Sequence, residues 1–179
     1  SLAAGTGTAF GITNLGISVA SGATLDLNSQ NLGMEPITAV GAGVGGAGAI
    51  VNNGAGDQQN ATRFVTLTGD TTFGGFRRWD IRNPSAATDL EGGTHAFLLG
   101  NGHNLTKTGT NTVALIQVGE TSLGNIDIQS GTLTFSRSTK PGNAAGRVTI
   151  WPDARLQFHR LNEYIVNPFN KVVSMTNGI

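Results

Sequence analysis

The sequence predicts an all-β fold, a parallel β-solenoid built from stacked short strands, and three observations predict it. First, four segments superpose: ISVASGATLDL from Ile17, LTKTGTNTVAL from Leu105, IDIQSGTLTF from Ile126 and VTIWPDARLQF from Val148. Second, the last three copies start 21 and 22 residues apart. A hairpin sandwich also has many short strands, but it predicts no self-similar unit returning at that interval. Third, no segment sustains apolar residues at i, i+3, i+4, and the stretches between repeats are rich in Gly, Asn, Ser and Thr, so helices are excluded.

Each unit reads as a short strand, a small-residue turn and a second short strand. Period 2 sends Ile17, Val19, Leu25 and Leu27 to one side of the first unit. A degenerate copy, VTLTGDTTF, starts at Val65, 40 residues before Leu105, which the spacing reads as two repeats. In RRWDIRN, Trp79 shares parity with Ile81 and is predicted to point inward, leaving Arg78, Asp80 and Arg82 as an outward charged row. The later units place Ile126, Ile128, Leu133 and Phe135, then Val148, Ile150, Leu156 and Phe158, in the same inward columns. Phe64, Phe73, Phe76 and Phe97 are assigned with Phe135 to the core. With strands ~4.8 Å apart, about seven to eight rungs would make a rod on the order of 35 Å long. Glycine and asparagine suit the tight corners, where positive φ is needed.

Composition narrows the function classes. The 179 residues include 27 glycines, 11 basic and 11 acidic side chains for a net charge of zero, and no cysteine. Disulfide scaffolds, thiolate chemistry and Cys-ligated zinc are excluded. Balanced charge argues against nucleic acid, and no apolar run approaches the ~20 residues that cross a bilayer. The chain opens SLAAGTGTAF without an initiator methionine or an apolar leader. Residues 1–179 are therefore expected to be a single module of a larger secreted protein.

The units LTKTGTNTVAL, GNIDIQSGTLTF and SVASGATLDLN, with VTLTGDTTFGG and RWDIRN, resemble the autotransporter-associated β-strand repeats of bacterial passenger proteins. The resemblance covers most of residues 14–158. It implies a right-handed parallel β-helix and an exported bacterial protein, secreted or at the cell surface, and it implies no reaction. That fold serves adhesins, polysaccharide lyases, glycosidases and carbohydrate-binding modules attached to plant-polysaccharide hydrolases, so function has to be argued from sites.

A β-helix lyase or hydrolase needs carboxylates clustered on one face. The eleven acids are scattered. Asp89 and Glu91 share a side by strand parity, with Asp80 as a neighbour at best one rung away, and a solvated edge accounts for them. Gly102-His103-Asn104 lacks the second glycine of the pectin-hydrolase pattern. His95, His103 and His159 are too dispersed for a metal triad, and no Gly-x-Ser-x-Gly elbow occurs. GAGVGGAGA at 41–49 lacks the Lys-Ser/Thr ending of a phosphate loop and reads as a glycine-rich turn. No catalysis, no metal and no cofactor are expected.

Carbohydrate binding without catalysis needs exposed aromatic rings and planar polar groups on a rigid surface. Parity turns Trp151 outward, with Ala20, Thr108 and Gln129 at the matching positions of other repeats. Arg155, Gln157 and His159 face outward on the second strand of the same unit, and Tyr164 follows in sequence. These five residues are the first candidate contact group, although Trp151 before Pro152 would also suit a covered corner. Trp79 with Arg78, Asp80 and Arg82 is the second group, with a solvated ion-pair row as its plain alternative. Thr-x-Thr pairs such as Thr106 and Thr108 form no regular array, because Asp127 and Gln129 follow at the matching positions.

The expected function is a non-catalytic carbohydrate-binding module recognising an extended polysaccharide, a plant cell-wall glycan such as xylan. An attached glycoside hydrolase or further repeats would be its neighbours in the parent chain. The alternatives are a structural passenger or adhesin stalk, and a polysaccharide lyase or glycosidase.

Overall fold

The computed structural model describes residues 16–82, 96–160 and 170–176. Among them there is no α-helix, only a three-residue 3-10 turn at Val44–Gly46. The chain makes repeated passes through the same sequence of strands. The first holds β1 (Ile17–Val19) and β2 (Leu25–Asp26), and the second β3 (Pro36–Gly41), β4 (Ile50–Asn52) and β5 (Gln58–Thr62). The third holds β6 (Phe64–Gly75), which spans two strand positions, and β7 (Trp79–Arg82). The fourth holds β8 (Phe97–Leu99), β9 (Leu105–Lys107) and β10 (Thr112–Ile116). Then come β11 (Ile126–Ile128) with β12 (Gly131–Ser136), β13 (Arg147–Ile150) with β14 (Ala154–His159), and β15 (Val172–Met175).

Every pairing among these strands is parallel. One ten-stranded sheet has the main order β1-β3-β6-β9-β11-β13-β15, joined by β2, β4 and β8, and a five-stranded sheet has the order β14-β12-β10-β7-β5. From β9 onward the chain alternates between the two sheets, each strand lying beside its counterpart from the previous pass. Parallel strands cannot be joined by tight hairpins, and the second sheet supplies the return path.

Direct pairing aligns the inward columns. Ile50, Phe73, Lys107, Ile128 and Ile150 form one line across the larger sheet. Trp79, Val113, Leu133 and Leu156 form another across the smaller, with Ile81, Leu115, Phe135 and Phe158 beside them. Phe73, Trp79, Phe135 and their aliphatic neighbours are fully buried in one cluster. Each such side chain contributes ~1.5–3 kcal/mol of transfer free energy. Phe158 shares the inward parity but is 47% exposed, because β14 pairs only with β12 among the described residues.

The structure corrects the phase of the repeat in two places. Leu105 aligns with Thr71, not with Val65, at an offset of 34 residues. VTLTGDTTF therefore lies on the strand directly beside LTKTG, one repeat away and not two. The first unit is also shifted by one strand position. Ile17 pairs with Ile37 and so belongs to the line of Val65 and Leu98, whereas Leu25 pairs with Ile50, in the line that leads to Ile128. A strand-turn-strand unit can sit at any corner of the pass, so likeness between units does not fix which corner each occupies.

A side-chain ladder clips successive passes where the chain enters the larger sheet. Asp70 Oδ1 accepts the Asn104 N–H (2.9 Å), Asn104 Oδ1 accepts the Asn125 N–H (2.7 Å), and Asn125 Oδ1 accepts the Arg147 N–H (3.0 Å). These are equivalent positions, each just before the aligned residues Thr71, Leu105, Ile126 and Val148. The amide hydrogen bonds hold the Asp70 carboxyl below its ordinary range. Asn125→Ala is expected to cost about 1 kcal/mol at most, lowering Tm by ~2–4 °C or less in thermal unfolding, since one exposed hydrogen bond is lost.

Candidate functional site

Trp151 follows β13 on the outer side of the larger sheet and is 46% exposed. Its backbone N–H donates to Ile128 O (3.0 Å), which sets it beside Gln129, one strand back. The indole lies back across that strand, with Nε1 donating to Asp127 Oδ1 at 2.5 Å. Gln129 Nε2 donates to the other carboxylate oxygen of Asp127 at 2.8 Å. The ring is thus fixed at its polar edge while an aromatic surface stays open to solvent. Thr106 and Thr149 flank Asp127 on the neighbouring strands. An exposed indole held by a carboxylate, next to a planar amide and hydroxyls, has the composition of a sugar-stacking subsite.

The structure separates Trp151 from the residues grouped with it in sequence. The chain turns at Trp151–Ala154, where the Ala154 N–H donates to Trp151 O (3.1 Å) and Asp153 takes φ 65°. It then enters β14 of the smaller sheet. Arg155, Gln157 and His159 are exposed there, on a different outer face. Thr134 Oγ1 donates to Gln157 Oε1 (3.0 Å), and Ser136 Oγ lies 3.4 Å from His159 Nδ1. These contacts make a polar strip along β12 and β14 that does not include Trp151. Tyr164, Asp89, Glu91 and His95 lie outside the described residues.

The second candidate group is also corrected. Trp79 is fully buried, packed edge-to-face on Phe73 at 5.1 Å, with Nε1 donating to Gly74 O (3.0 Å), and it offers no surface to a ligand. Asp80 is outward by parity yet equally buried. Residues 59–61 bulge from β5 opposite it, between the pairs Gln58–Trp79 and Thr62–Ile81. Arg78 grips it with two hydrogen bonds, Nε to Oδ1 (2.8 Å) and Nη2 to Oδ2 (2.9 Å). Burial pushes the Asp80 carboxyl above its usual pKa despite Arg78, and the same pair raises the Arg78 guanidinium. The open charged row is therefore a bidentate ion pair between the buried Asp80 and the half-buried Arg78, with the half-buried Arg82 beside it.

Phe76, assigned to the core, is instead 72% exposed: three residues after the inward Phe73 it has the opposite parity, and it stands in the turn after Gly75 (φ 111°). It lines a surface groove of about 320 Å³ with Val51, Gly75, Thr108, Gly109 and the Gly45–Ala47 turn. The glycine run at 41–49 thus forms a turn, as its composition suggests, and one wall of this groove. Among the described residues no group of three His, Asp or Glu side chains could hold a metal ion.

Sequence reasoning placed Gln129 at the position matching Trp151 but missed Asp127 as the partner of its indole, although the signal was present. Both share its outward parity in the repeat directly before it. No family model matches this chain, and neither a curated protein nor a solved structure matches it.

Proposed function

We propose that this chain is a right-handed parallel β-helix module that binds an extended polysaccharide on an outer face and takes no part in cleaving it. Repeated parallel passes with inward apolar columns support the β-helix. The observation that carries the binding reading is Trp151, exposed yet pinned through its indole N–H to Asp127. A solvent-facing tryptophan held rigid before any ligand arrives loses little conformational freedom on binding. The non-catalytic reading rests on the scatter of the eleven acids along the sequence. The LTKTG and GTL units support an exported bacterial origin, and a plant cell-wall glycan such as xylan is the ligand class to try first.

Affinity electrophoresis against a panel of soluble polysaccharides tests the reading. Retardation by at least one glycan is expected, weakened about tenfold or more in Trp151→Ala and unchanged in Arg155→Ala, which alters the other face. If no glycan retards the wild-type protein, the binding reading falls and a structural passenger, whose role is length and display, replaces it.

A further inference from the structure

We infer that the ligand lies in a continuous track on the outer face of the larger sheet, from Phe76 to Trp151, parallel to the direction in which the strands stack. This inference rests on the polysaccharide reading and assigns its site, direction and ligand charge.

The track follows from backbone hydrogen bonds. The Thr108 N–H donates to Phe73 O (2.9 Å), the Gln129 N–H to Lys107 O (2.8 Å) and the Trp151 N–H to Ile128 O (3.0 Å). Gly74, Thr108, Gln129 and Trp151 therefore occupy one outward column on four neighbouring strands. Three strand spacings of ~4.8 Å put about 14 Å between the two ends of that column. At the far end Phe76 rises beside Gly75, in the groove it shares with Thr108 and Gly109. Two exposed aromatic side chains thus mark the ends of the track, with a hydroxyl from Thr108, an amide from Gln129 and the Asp127 carboxylate between them.

Stacking itself keeps the floor low near Phe76. Gly75 and Gly109 take φ 111° and 75°, and a Cβ on Gly109 would lie 2.5 Å from Gly75 O. At these positions adjacent passes meet backbone to backbone with no side chain between them, and both glycines line the groove. A pyranose chain in extended form repeats at an interval close to one strand spacing. Laid along the stack, it would meet one outward side chain per sugar, with apolar faces on Phe76 and Trp151 and hydroxyls toward Thr108 and Gln129.

Charge selects among such chains. Between Thr108 and Trp151, Asp127 is the one ionised group in the two outward columns among the described residues, whose other members there are Thr106, Thr108, Gln129 and Thr149. Arg77 stands beyond the Phe76 end, and Asp153 follows Trp151 at the other. The central charge is negative, so the track suits a neutral glycan and repels a polyuronate.

The test is calorimetric titration with the best-retarding neutral glycan and its oligosaccharides, using wild type, Phe76→Ala, Trp151→Ala and Asp127→Asn, each checked for unchanged thermal unfolding. Phe76 is exposed, and asparagine still offers the indole an acceptor, so these variants are expected to fold. Affinity should rise with oligosaccharide length until the ligand spans both aromatics. Phe76→Ala should weaken the polysaccharide at least about fivefold and abolish the gain from the longer oligosaccharides. Asp127→Asn should narrow the preference for neutral over uronic chains. A Phe76→Ala variant that binds like wild type while Trp151→Ala does not would overturn the track and leave the polysaccharide reading standing. A wild-type protein that binds no glycan would overturn both.

Discussion

Gly109→Ala is expected to destabilise the protein by about 3 kcal/mol or more, because two independent costs meet at one position. Gly109 takes φ 75°, a conformation costing an L-residue ~1–2 kcal/mol. The added methyl would also sit 2.5 Å from Gly75 O and 2.8 Å from Gly75 N on the adjacent pass. Those are backbone atoms of a hydrogen-bonded strand and cannot swing aside as a side-chain tip would. Relief requires the two passes to separate, which weakens the ladder on both sides of the turn. Gly102 isolates the two costs: its φ is 80°, but a Cβ there meets nothing within 4 Å. Gly102→Ala should therefore cost only ~1 kcal/mol. Urea denaturation of both variants measures the difference, and equal losses would show that backbone conformation alone, not contact between passes, demands glycine at 109.

Lys107→Met is expected to cost about 2–4 kcal/mol. Lys107 occupies the inward column between Phe73 and Ile128 and is fully buried. Its Nζ donates to Thr108 O (2.6 Å), Gly109 O (2.9 Å) and Ser130 O (3.1 Å), tying one corner of its own pass to the same corner of the next. Methionine keeps much of the apolar stem but leaves the carbonyls without their donor, and carbonyls, unlike a partner side chain, cannot be mutated away. Burial lowers the Lys107 pKa to about 8 from 10.5. Between those values the unfolded chain still binds the proton and the folded chain has released it. This group therefore makes the fold more stable as pH rises from about 8 toward 10.5. Denaturation midpoints across that range should climb in wild type and climb less in Lys107→Met. Lys171 retains a slope of the same sign, because burial lowers its pKa too.

Lys107 also shows why part of the structure was legible in the sequence and part was not. In LTKTG, period 2 puts Leu105 and Lys107 on one side, while charge argues that the lysine should face water. Parity wins because three carbonyls of the folded corner receive the ammonium, and nothing in the residue order announces them. Trp79 was legible, since an aromatic in phase with Ile81 needs only the hydrophobic effect to turn inward. Asp80 was not, because its burial depends on a bulge in β5, more than fifteen residues away. Trp151 was read as outward, with Thr108 and Gln129 at matching positions, but its contact group was sought along the chain. Arg155 follows it by four residues yet stands on another face, because the corner between them turns the chain. Asp127 and Gln129, more than twenty residues earlier, touch it or its partner, because adjacent strands come from successive passes.

The open order of the strands has one more consequence. In neither sheet do the described strands close into a ring, and Leu105 pairs directly with Ile126, as Asn104 does through its side chain with Asn125. The 21 residues from Leu105 to Asn125 therefore begin and end at equivalent points of the pattern. Excising or duplicating them would pair Thr71 with Ile126, or repeat the Leu105–Ile126 pairing once more, without changing the register of any other strand. A barrel offers no such freedom, because strand number, tilt and diameter are locked together. With this pairing, the number of stacked strands is an adjustable quantity, raised or lowered by whole repeats through genetic duplication or loss.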